Sequence, residues 1–354
     1  MSLVTVAVVT ALLLPRQQPR PGGPVTGSLS VSGSQLDVAG RPVQLGGVSR
    51  SGSEYQCLAG KQVFDGPVGP ASVRAMVAWH VDTVRIPLNE DCWLGINHAP
   101  GATSGPAYRD AVAGYVHLLT GMGLAVILDL HWSAPGTTRA TGQMQMPDAD
   151  HAPAFWAGVA RRFGPDPKVM FELYNEPHDV SWRCWRDGCV VGVTAVTPAF
   201  RAAGMQQLLD AVRGTGATNP VILDGLGWAH DLSRWKRYEP VDPRHSLVAG
   251  WHIYGPAPCT GSCWSRTAAS VAGVPVLVTE FGEFRCGASY VDRLLPWLDA
   301  HHIGYLAWAW DTWSGCSGPP LLQSYGGVPA HAYGRAVEQH YQKHFGSVSG
   351  PRPA

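Results

Sequence analysis

The sequence predicts one α/β domain, a single (β/α)8 TIM barrel preceded by a short N-terminal β-hairpin. Eight apolar segments of strand length alternate with helical patterns through most of the 354 residues. The segments are nearly continuous runs of Val, Ile and Leu, as expected for parallel strands that are buried on both faces. Ionisable and aromatic residues stand at or near the ends of most of these segments, where (β/α)8 barrels place their functional groups.

The chain before the first barrel strand divides into three parts. Residues 3–14 form an apolar run with the length of a signal peptide, too short to span a bilayer as a helix. Residues 15–28 are rich in Pro, Arg, Gln and Gly, which indicates a disordered lead-in. The hairpin LSVSGSQLDV then turns over residues 32–34. We therefore predict a signal peptide and lead-in over residues 1–28, the barrel over 29–346 and a short tail over 347–354.

The strand and helix patterns follow in regular alternation. The candidate strands are VQLGGV, VDTVRIPL, LAVILDLHW, VMFELYNEP, PVILDGLGW, LVAGWHIYG, PVLVTEFGE and GYLAWAWDTW. The helical patterns cover residues 71–80, 108–123, 151–164, 198–214, 231–238 (the weakest), 266–273, 290–302 and 332–345. No G-x-G-x-x-G turn follows the first strand, which argues against a dinucleotide-binding sheet.

The amino-acid composition indicates which classes of binding partner, and which cellular compartment, suit the protein. The 26 basic and 26 acidic side chains leave no net charge, so nucleic acid and anionic membranes are not expected as partners. The 14 tryptophans exceed what a cytosolic domain usually carries, and stacking on sugar faces would explain the surplus, although core packing is an equal alternative for any one of them. The eight cysteines, with no histidines at zinc-finger spacing, predict disulfides and an oxidising compartment.

Two strand ends carry carboxylates suited to cleaving a glycosidic bond. The fourth strand delivers Glu176 within an Asn-Glu-Pro string, and the seventh delivers Glu280 within Thr-Glu-Phe-Gly. Such chemistry needs one carboxyl to protonate the leaving oxygen and another to attack or stabilise the sugar carbon. Glu283 is an alternative to Glu280. Glu172 and Asp129 lie earlier in their strands, on the same faces as the functional residues, and are expected to form a buried network instead.

These motifs resemble glycoside hydrolase family 5, the cellulases and mannanases of the clan of retaining (β/α)8 enzymes. The similarity runs from about Leu29 to Phe345. It implies that Glu176 is the acid/base and that Glu280 is the nucleophile. The substrate-binding residues that it implies are Arg85, His131, Asn175, His252, Tyr254 and Trp308.

The resemblance also implies particular roles within that set. Arg85 supports the nucleophile, the Tyr254 hydroxyl lies near it, and Trp308 forms a floor under the sugar, with Trp310 as the alternative. From the residues alone, Arg85 could instead serve only as an ion partner of the buried acids, and His131 and His252 could be core histidines. No third ligand accompanies the two histidines, so we predict no metal and no cofactor.

The expected activity is the retaining hydrolysis of a β-linked polysaccharide or oligosaccharide, of endo-β-1,4-glucanase type, by a secreted monomer. An exo-acting β-glycosidase and a mannanase or xyloglucanase of the same fold remain alternatives, as does a non-catalytic carbohydrate-binding barrel. A phosphate-handling barrel enzyme is disfavoured, because no Gly-rich phosphate loop follows the seventh or eighth strand.

Two expectations concern the geometry of the barrel mouth. All eight cysteines follow strands and so belong to one mouth of the barrel, which predicts the pairs Cys57–Cys92, Cys184–Cys189, Cys259–Cys263 and Cys286–Cys316. We also expect Arg85 to keep Glu280 charged and that charge to hold a proton on Glu176, with the carboxyl groups about 5 Å apart.

Overall fold

The computed structural model describes residues 18–192, 199–255 and 259–346. Within them, eight parallel strands form a closed barrel in which each strand pairs with the next along the chain and the eighth pairs with the first. The barrel strands are, in order, Gly46–Ser49, Thr83–Asn89, Ala125–Trp132, Val169–Glu172, Val221–Asp224, Leu247–Gly255, Val276–Glu283 and Gly304–Ala307. The predicted (β/α)8 fold is confirmed.

Helices connect the barrel strands along the outside. They are α1 (Gln56–Ala59), α2 (Pro70–Ala78), α3 (Glu90–Leu94), α4 (Pro106–Gly121), α5 (Ala152–Phe163), α6 (Trp182–Asp187), α7 (Met205–Arg213), α8 (Gly261–Ser270), α9 (Val291–Ala300) and α10 (His331–His344). In α5, Phe155, Val159 and Phe163 recur every four residues and are all buried. The rings of Phe155 and Phe163 contact Trp93 of α3, and the neighbouring Trp156 contacts Phe171 of the fourth barrel strand, so α5 packs its apolar side towards the barrel.

Two helical predictions differ from the structure. The pattern predicted over residues 198–214 begins only at Met205, because Phe200–Ala202 pairs as a short strand with Cys189–Val191. Gly204 lies so close to Arg186 that a β-carbon would sit 2.3 Å from its carbonyl oxygen, which fixes the chain before the helix starts. The weak pattern over residues 231–238 gives only a 3-10 turn at Lys236–Tyr238.

The predicted hairpin is present as part of a four-stranded sheet. Leu29–Ser32 pairs antiparallel with Gln35–Val38, and Arg41–Gln44 and Arg20–Pro21 extend the sheet. Residues 18–28, predicted as lead-in, therefore include a strand. They also contact the barrel, since the buried Val25 donates its backbone N–H to Gly123 at 2.7 Å. The apolar run over residues 3–14 and the tail over 347–354 lie outside the described residues.

The inside of the barrel changes from apolar to charged along the strands. The apolar layer at the bottom consists of Val25, Leu29, Leu36, Leu45, Ala125, Ile127, Met170, Ile222, Val248, Leu277 and Leu306. Alternate residues of a strand face the same side. Ile127, Asp129 and His131 therefore all face the barrel interior, in that order towards the C-terminal end of the third strand, and Met170 and Glu172 do the same in the fourth. The C-terminal half of the barrel interior is therefore lined by ionisable groups above a closed apolar base.

All four predicted disulfides are present, and they join segments that follow barrel strands. Two link different loops: Cys57–Cys92 spans 35 residues and Cys286–Cys316 spans 30. The other two, Cys184–Cys189 and Cys259–Cys263, close turns of 5 and 4 residues. Disulfides of this kind form and persist in oxidising compartments. No helix among the described residues is long and apolar enough to cross a membrane.

The lengths of these loops predict unequal contributions to stability. Replacing Cys57 and Cys92 together by alanine should lower the free energy of unfolding by about 4 kcal/mol, since that bridge restricts a 35-residue loop in the unfolded chain. Replacing Cys184 and Cys189 should cost about 2 kcal/mol, because their loop has only 5 residues. Denaturant unfolding of both double variants measures the difference. Equal losses would contradict the loop-entropy explanation.

Candidate active site

The C-terminal ends of the barrel strands surround an open cleft of about 470 Å³. Its lining residues are His131, Asn175, Glu176, Trp228, His230, Tyr254, Glu280, Phe284, Trp308, Ser317, Gly318 and Pro319. Six of the eight sequence-predicted site residues are in this set. The other two, Arg85 and His252, are fully buried directly beneath it and contact its carboxylates. The structure thus brings all eight side chains together.

Arg85 is the central cation of the site. Its Nη1 donates to Glu280 at 2.5 Å, its Nε donates to Glu172 at 2.6 Å, and its Nη2 donates to Asn175 Oδ1 at 2.8 Å and lies 2.9 Å from Asp129. Although burial lowers the pKa of Arg85, the surrounding carboxylates raise it well above its ordinary value. Arg85 therefore serves both the cleft and the buried acids, the two roles that sequence analysis treated as alternatives.

Glu280 is held from two sides at the base of the cleft. Arg85 contacts Oε1, and the Tyr254 hydroxyl donates to Oε2 at 2.5 Å. A β-bulge lies directly before Glu280. Trp251 of the sixth strand pairs with Val278 of the seventh, and the next residue, His252, pairs with Glu280, so Thr279 is left as an extra residue without a partner across the two strands. Bulges of this kind redirect side chains next to active sites. The bulge and the two hydrogen bonds fix the Glu280 carboxylate at the cleft floor.

Glu283, the rival of Glu280 in the sequence, has a different environment. Its Oε2 accepts the backbone N–H groups of Tyr290 at 2.8 Å and Val291 at 3.2 Å. Val291 is the first residue of α9. A carboxylate at a helix N-terminus satisfies free backbone donors and interacts favourably with the helix dipole. Glu283 therefore caps α9.

Glu176 lies across the cleft from Glu280. Its φ of 54° is in the left-handed region, which is uncommon for a residue with a side chain and is often found at functional sites. Its backbone is held by Asp224 Oδ2, which accepts the N–H at 3.2 Å, and by Gln143 Nε2, which donates to the carbonyl at 3.2 Å. His252 Nδ1 lies 2.8 Å from Oε1 of Glu176. One carboxylate oxygen of Glu176 lies within 4.8 Å of one of Glu280.

His252 dominates the electrostatics between the two carboxylates. Burial lowers the pKa of His252, but Glu280 and Asp224 together raise it well above its usual value. Burial raises the pKa of Glu176, yet the hydrogen bond and charge of His252 bring it below its usual value. We expected Glu280 to hold a proton on Glu176. The raised pKa of His252 and the lowered pKa of Glu176 instead favour the proton on His252, because its imidazolium form interacts with Glu176 at 2.8 Å and with Glu280 at 3.5 Å.

The predicted buried network lies one layer below the cleft. Burial raises the pKa of Asp129 and of Asp224 well above the ordinary value. For Glu172 burial acts in the same direction, but Arg85 and then His252 outweigh it, so that its pKa falls. In this layer Glu172 favours its ionised form because it lies between Arg85 and His252. Asp129 and Asp224 favour their protonated forms.

Trp308 forms one wall of the cleft. Its ring is parallel to that of His131, with a centroid distance of 5.5 Å and an interplanar angle of 7°. The alternative residue Trp310 is fully buried and packs edge-on against Trp79 at 5.0 Å, so it cannot contact a ligand. The eighth barrel strand ends at Ala307, so the alternation that placed both tryptophans on one face does not extend to them.

Two aromatic pairs lie elsewhere on the rim. Trp228 is 43% exposed and stacks on His178 at 3.6 Å, and Phe284 is 42% exposed and stacks on Tyr254 at 5.2 Å. Exposed aromatic planes beside a cleft are suited to stacking on apolar ligand faces. The cleft therefore has aromatic surfaces on more than one side of the carboxylate pair.

The remaining two tryptophans of the mouth lie behind the Trp308 wall. Trp313 is tilted against Trp308 at 6.1 Å and donates to the Tyr55 hydroxyl at 3.2 Å. Tyr55 in turn donates to Asp65 at 2.6 Å and contacts the ring of Trp132 at 6.2 Å. Neither Trp132 nor Trp313 lines the cleft, and both hold its wall in place.

Asp311 connects this wall to the first loop. It accepts from Tyr325 at 2.9 Å and lies 3.8 Å from the buried Arg50. Burial raises the pKa of Asp311 to about 6. Between about pH 4 and pH 6, Asp311 is therefore protonated in the folded protein and ionised in the unfolded chain. The stability that this group contributes is present at low pH and is lost as the pH rises through this range.

Asp311→Asn should remove that pH dependence. Between pH 4 and pH 7 the wild-type protein should lose roughly 2–3 kcal/mol of unfolding free energy through this carboxyl group, and the variant should not. Urea unfolding of both proteins at each pH gives the difference between them. Parallel pH curves would show that Asp311 does not titrate in this range.

Sequence analysis missed two residues that organise the site. Asp224 ends the fifth strand, in the same kind of position as Glu172, so the strand-end criterion could have found it. Gln143 lies in a long loop and carries no sequence signal of its own, although it donates to the carbonyls of both Asn175 and Glu176.

The described residues include clusters with metal-ligand chemistry. Two share His252: one with Glu176 and Glu280, the other with Glu172 and Asp224. In both, the ring nitrogens of His252 already face the carboxylates, with Nδ1 2.8 Å from Glu176 and Nε2 3.5 Å from Asp224. A third cluster lies outside the cleft, at Glu90, Asp148 and His151.

The geometry of the cleft suits double-displacement chemistry at a sugar carbon. Glu280 receives hydrogen bonds from the Arg85 guanidinium and the Tyr254 hydroxyl, which fix its position for attack. Glu176 lies 2.8 Å from Nδ1 of His252, from which it can take a proton. A carboxylate and a second carboxyl group that can deliver a proton, at this separation, are the pair that retaining glycosidases use.

Comparisons with known proteins agree with this geometry. Endoglucanase E-5 of Thermobifida fusca is 27% identical over 311 residues, which cover 83% of this chain and 58% of that protein. Endoglucanase CelA of Streptomyces lividans is 27% identical over 297 residues, which cover 81% of this chain and 56% of that protein. The chain thus spans less than two thirds of the length of these relatives.

Solved structures show the same fold. The cellulase Cel5C_n has a TM-score of 0.66 at 20% identity, covering 94% of this chain and 96% of that one. The catalytic domain of the Thermobifida fusca endoglucanase Cel5A has a TM-score of 0.62 at 22% identity, covering 90% of this chain and all of that one. The family model described as cellulase (glycosyl hydrolase family 5) matches residues 36–314. The chain is therefore a member of glycosyl hydrolase family 5.

Proposed function

We propose that the protein is a retaining endo-β-glucanase that cleaves β-linked glucose polymers, with Glu176 as acid/base and Glu280 as nucleophile. The observation that carries the proposal is the carboxylate pair itself, with oxygens within 4.8 Å of each other across an open cleft. Retaining enzymes place the two carboxyl groups about 5 Å apart, whereas inverting enzymes leave about 6.5–9.5 Å for a water molecule.

In the first step, Glu280 attacks the anomeric carbon while Glu176 protonates the leaving oxygen. Arg85 and Tyr254 orient Glu280, and Asn175, fixed by Arg85, is available to the sugar hydroxyl next to the reacting carbon. Substrate expels water and disfavours charge on Glu176, which moves the shared proton from His252 Nδ1 towards Glu176 across 2.8 Å. His252 is thus a proton reservoir for the acid.

In the second step, Glu176 removes a proton from water, which attacks the same carbon and releases Glu280. The two displacements invert the carbon twice, so the configuration is retained. Glu176 enters this step ionised because its proton departed with the leaving oxygen in the first step, and the proton that it takes from water returns to His252 Nδ1 across 2.8 Å.

Endo action and a glucan substrate rest on the cleft and on the relatives. Trp308 follows the eighth strand and Trp228 follows the fifth, so aromatic surfaces are available on both sides of the cleavage point. Both relatives named above are endoglucanases, and one similar structure, with a TM-score of 0.63 at 22% identity, contains cellotetraose. We further propose that the protein is secreted, as the disulfides suggest, and that it acts as a monomer.

A panel of polysaccharides with product sizing tests substrate and mode together. Cellulose derivatives, mixed-linkage glucan, mannan and xyloglucan would be compared, and early products from the preferred polymer sized. A spread of oligosaccharide lengths supports endo action. Release of a single sugar size, or a preference for mannan or xyloglucan, would favour the corresponding relative of the same fold. Absence of hydrolysis in every case would favour a carbohydrate-binding barrel.

The stereochemistry of the first product is a separate prediction. Proton NMR of the anomeric signals in the first minutes of hydrolysis should show the β anomer, followed by slow appearance of the α anomer through mutarotation. An initial α signal would mean that water attacks directly, and the double-displacement mechanism would be wrong.

A further inference from the structure

A second cluster of ionisable side chains lies beside the cleft, where the loop after the third barrel strand meets α3. Glu90 is the first residue of α3, and Asp148 and His151 precede α5. One ligand atom from each of the three lies within 4.8 Å of the other two. Glu90 and Asp148 are fully buried, whereas the side chain of His151 is 23% exposed. The cluster can therefore be reached from solvent only past His151 or by local opening.

The two carboxyl groups leave part of their binding capacity unused. Oε2 of Glu90 accepts from the Ala134 backbone at 3.3 Å, and Oδ1 of Asp148 accepts from the His151 backbone at 2.7 Å. In the described part of the chain, the other oxygen of each group is buried and receives no hydrogen bond from a donor outside the pair. Burial and the contact with Asp148 raise the pKa of Glu90 well above its ordinary value, so a bound cation would replace a proton held between the two carboxyl groups. Two adjacent buried carboxylates repel each other unless a proton or a cation lies between them.

Two further atoms with metal-ligand chemistry lie next to this pair. Nδ1 of His151 lies 3.5 Å from Asp148 and 4.0 Å from Glu90, and it is 3.4 Å from the carbonyl oxygen of Ala134. Imidazole nitrogen with carboxylate and carbonyl oxygen is a ligand set for borderline divalent ions, while Ca²⁺ and Mg²⁺ prefer oxygen alone. We propose that Glu90, Asp148 and His151 bind one divalent cation of the Mn²⁺ or Zn²⁺ type, with Ala134 supplying a carbonyl.

Such an ion would fasten the loop over residues 133–151 to α3. That loop carries Gln143, whose amide donates to the carbonyls of Asn175 and Glu176. The ion lies outside the cleft lining and takes no part in bond cleavage. Its effect is on the stability of the loop and, through Gln143, on the position of Glu176.

Titration of the chelator-treated full chain tests the site. With MnCl2 or ZnCl2 at neutral pH, isothermal calorimetry should show one ion bound per chain, and Tm should rise by about 5 °C at a cation concentration about a hundred times Kd. MgCl2 and CaCl2 should bind at least about tenfold more weakly, because they lack affinity for imidazole.

Variants locate the ion. Glu90→Gln keeps the shape of the side chain and can donate to Asp148, so the cation-free variant should fold with an unchanged Tm and lose the cation-induced rise. His151→Gln is a second test if Glu90→Gln does not fold. Glu280→Gln, in the cleft, and Asp110→Asn, on the exposed face of α4, should bind as the wild type does. No binding by the wild type, or binding that persists in both cluster variants, would overturn the proposal. Loss of binding in Glu280→Gln would place the ion in the cleft and overturn it too.

Discussion

Replacing Glu280 by glutamine is expected to lower kcat on a soluble β-glucan by about a thousandfold or more. The amide keeps the size of the side chain but cannot form the covalent glycosyl–enzyme ester. It also leaves Arg85 without the carboxylate that Nη1 contacts at 2.5 Å. Reducing-sugar release under saturating substrate measures kcat, and circular dichroism checks that the variant is folded.

Glu283→Gln is the matched control, three residues away and also buried. Its amide oxygen can still accept from Tyr290 and Val291, so the cap of α9 persists in weakened form. We expect most of the activity to remain and the stability to fall by about 1 kcal/mol, the usual range for a weakened helix cap. An inactive Glu283→Gln beside an active Glu280→Gln would show that the nucleophile has been assigned to the wrong residue.

Glu176→Ala is expected to lose activity in a way that depends on the leaving group. On polysaccharide, whose leaving alcohol must be protonated, the rate should fall by roughly a hundred- to ten-thousandfold, the usual contribution of a general acid. On an aryl glycoside with an acidic phenol, glycosylation needs no proton and should stay fast. Stopped-flow measurement should then show a burst of phenol followed by slow turnover, because the base that activates water is also missing.

Two further measurements complete that experiment. Azide, a nucleophile that needs no base, should accelerate the slow phase of Glu176→Ala and give a β-glycosyl azide. Trp228→Ala, on the rim, should change KM for polysaccharide without producing a burst. If Glu176→Ala released phenol from the aryl glycoside without a burst, so that glycosylation was as slow as with polysaccharide, Glu176 would not be the acid/base.

The fold was predictable because its determinants are local. Each strand of this barrel is an apolar run buried on both faces, and each helix has its own apolar stripe, so periodicity identifies them one at a time. The helix predicted over residues 198–214 failed where a long-range contact decides the structure. Gly204 packs against the turn at Arg186, and no short sequence window contains both.

Which side chains meet in the cleft was predictable, but their geometry was predictable only in part. Strand-end position and the family motif led to Glu176 and Glu280, yet Glu280 points into the cleft because of a bulge at Thr279 that alternation does not reveal. The protonation pattern was not predictable, because it depends on His252 lying within 3.5 Å of both carboxylates. Residues 252 and 280 meet only when the sixth and seventh strands pair.

The placement of the disulfides has a practical consequence for anyone who produces the protein. All four bridges belong to the loops of the cleft face, while the apolar layer at the bottom of the barrel contains no cysteine. In material from a reducing host the loops around the substrate cleft would lack their cross-links, and a far-ultraviolet spectrum, which reports secondary structure, would not reveal that difference in any molecules that still fold. Counting free thiols, which should number zero, therefore reports whether the four bridges have formed, and it should precede any kinetic measurement.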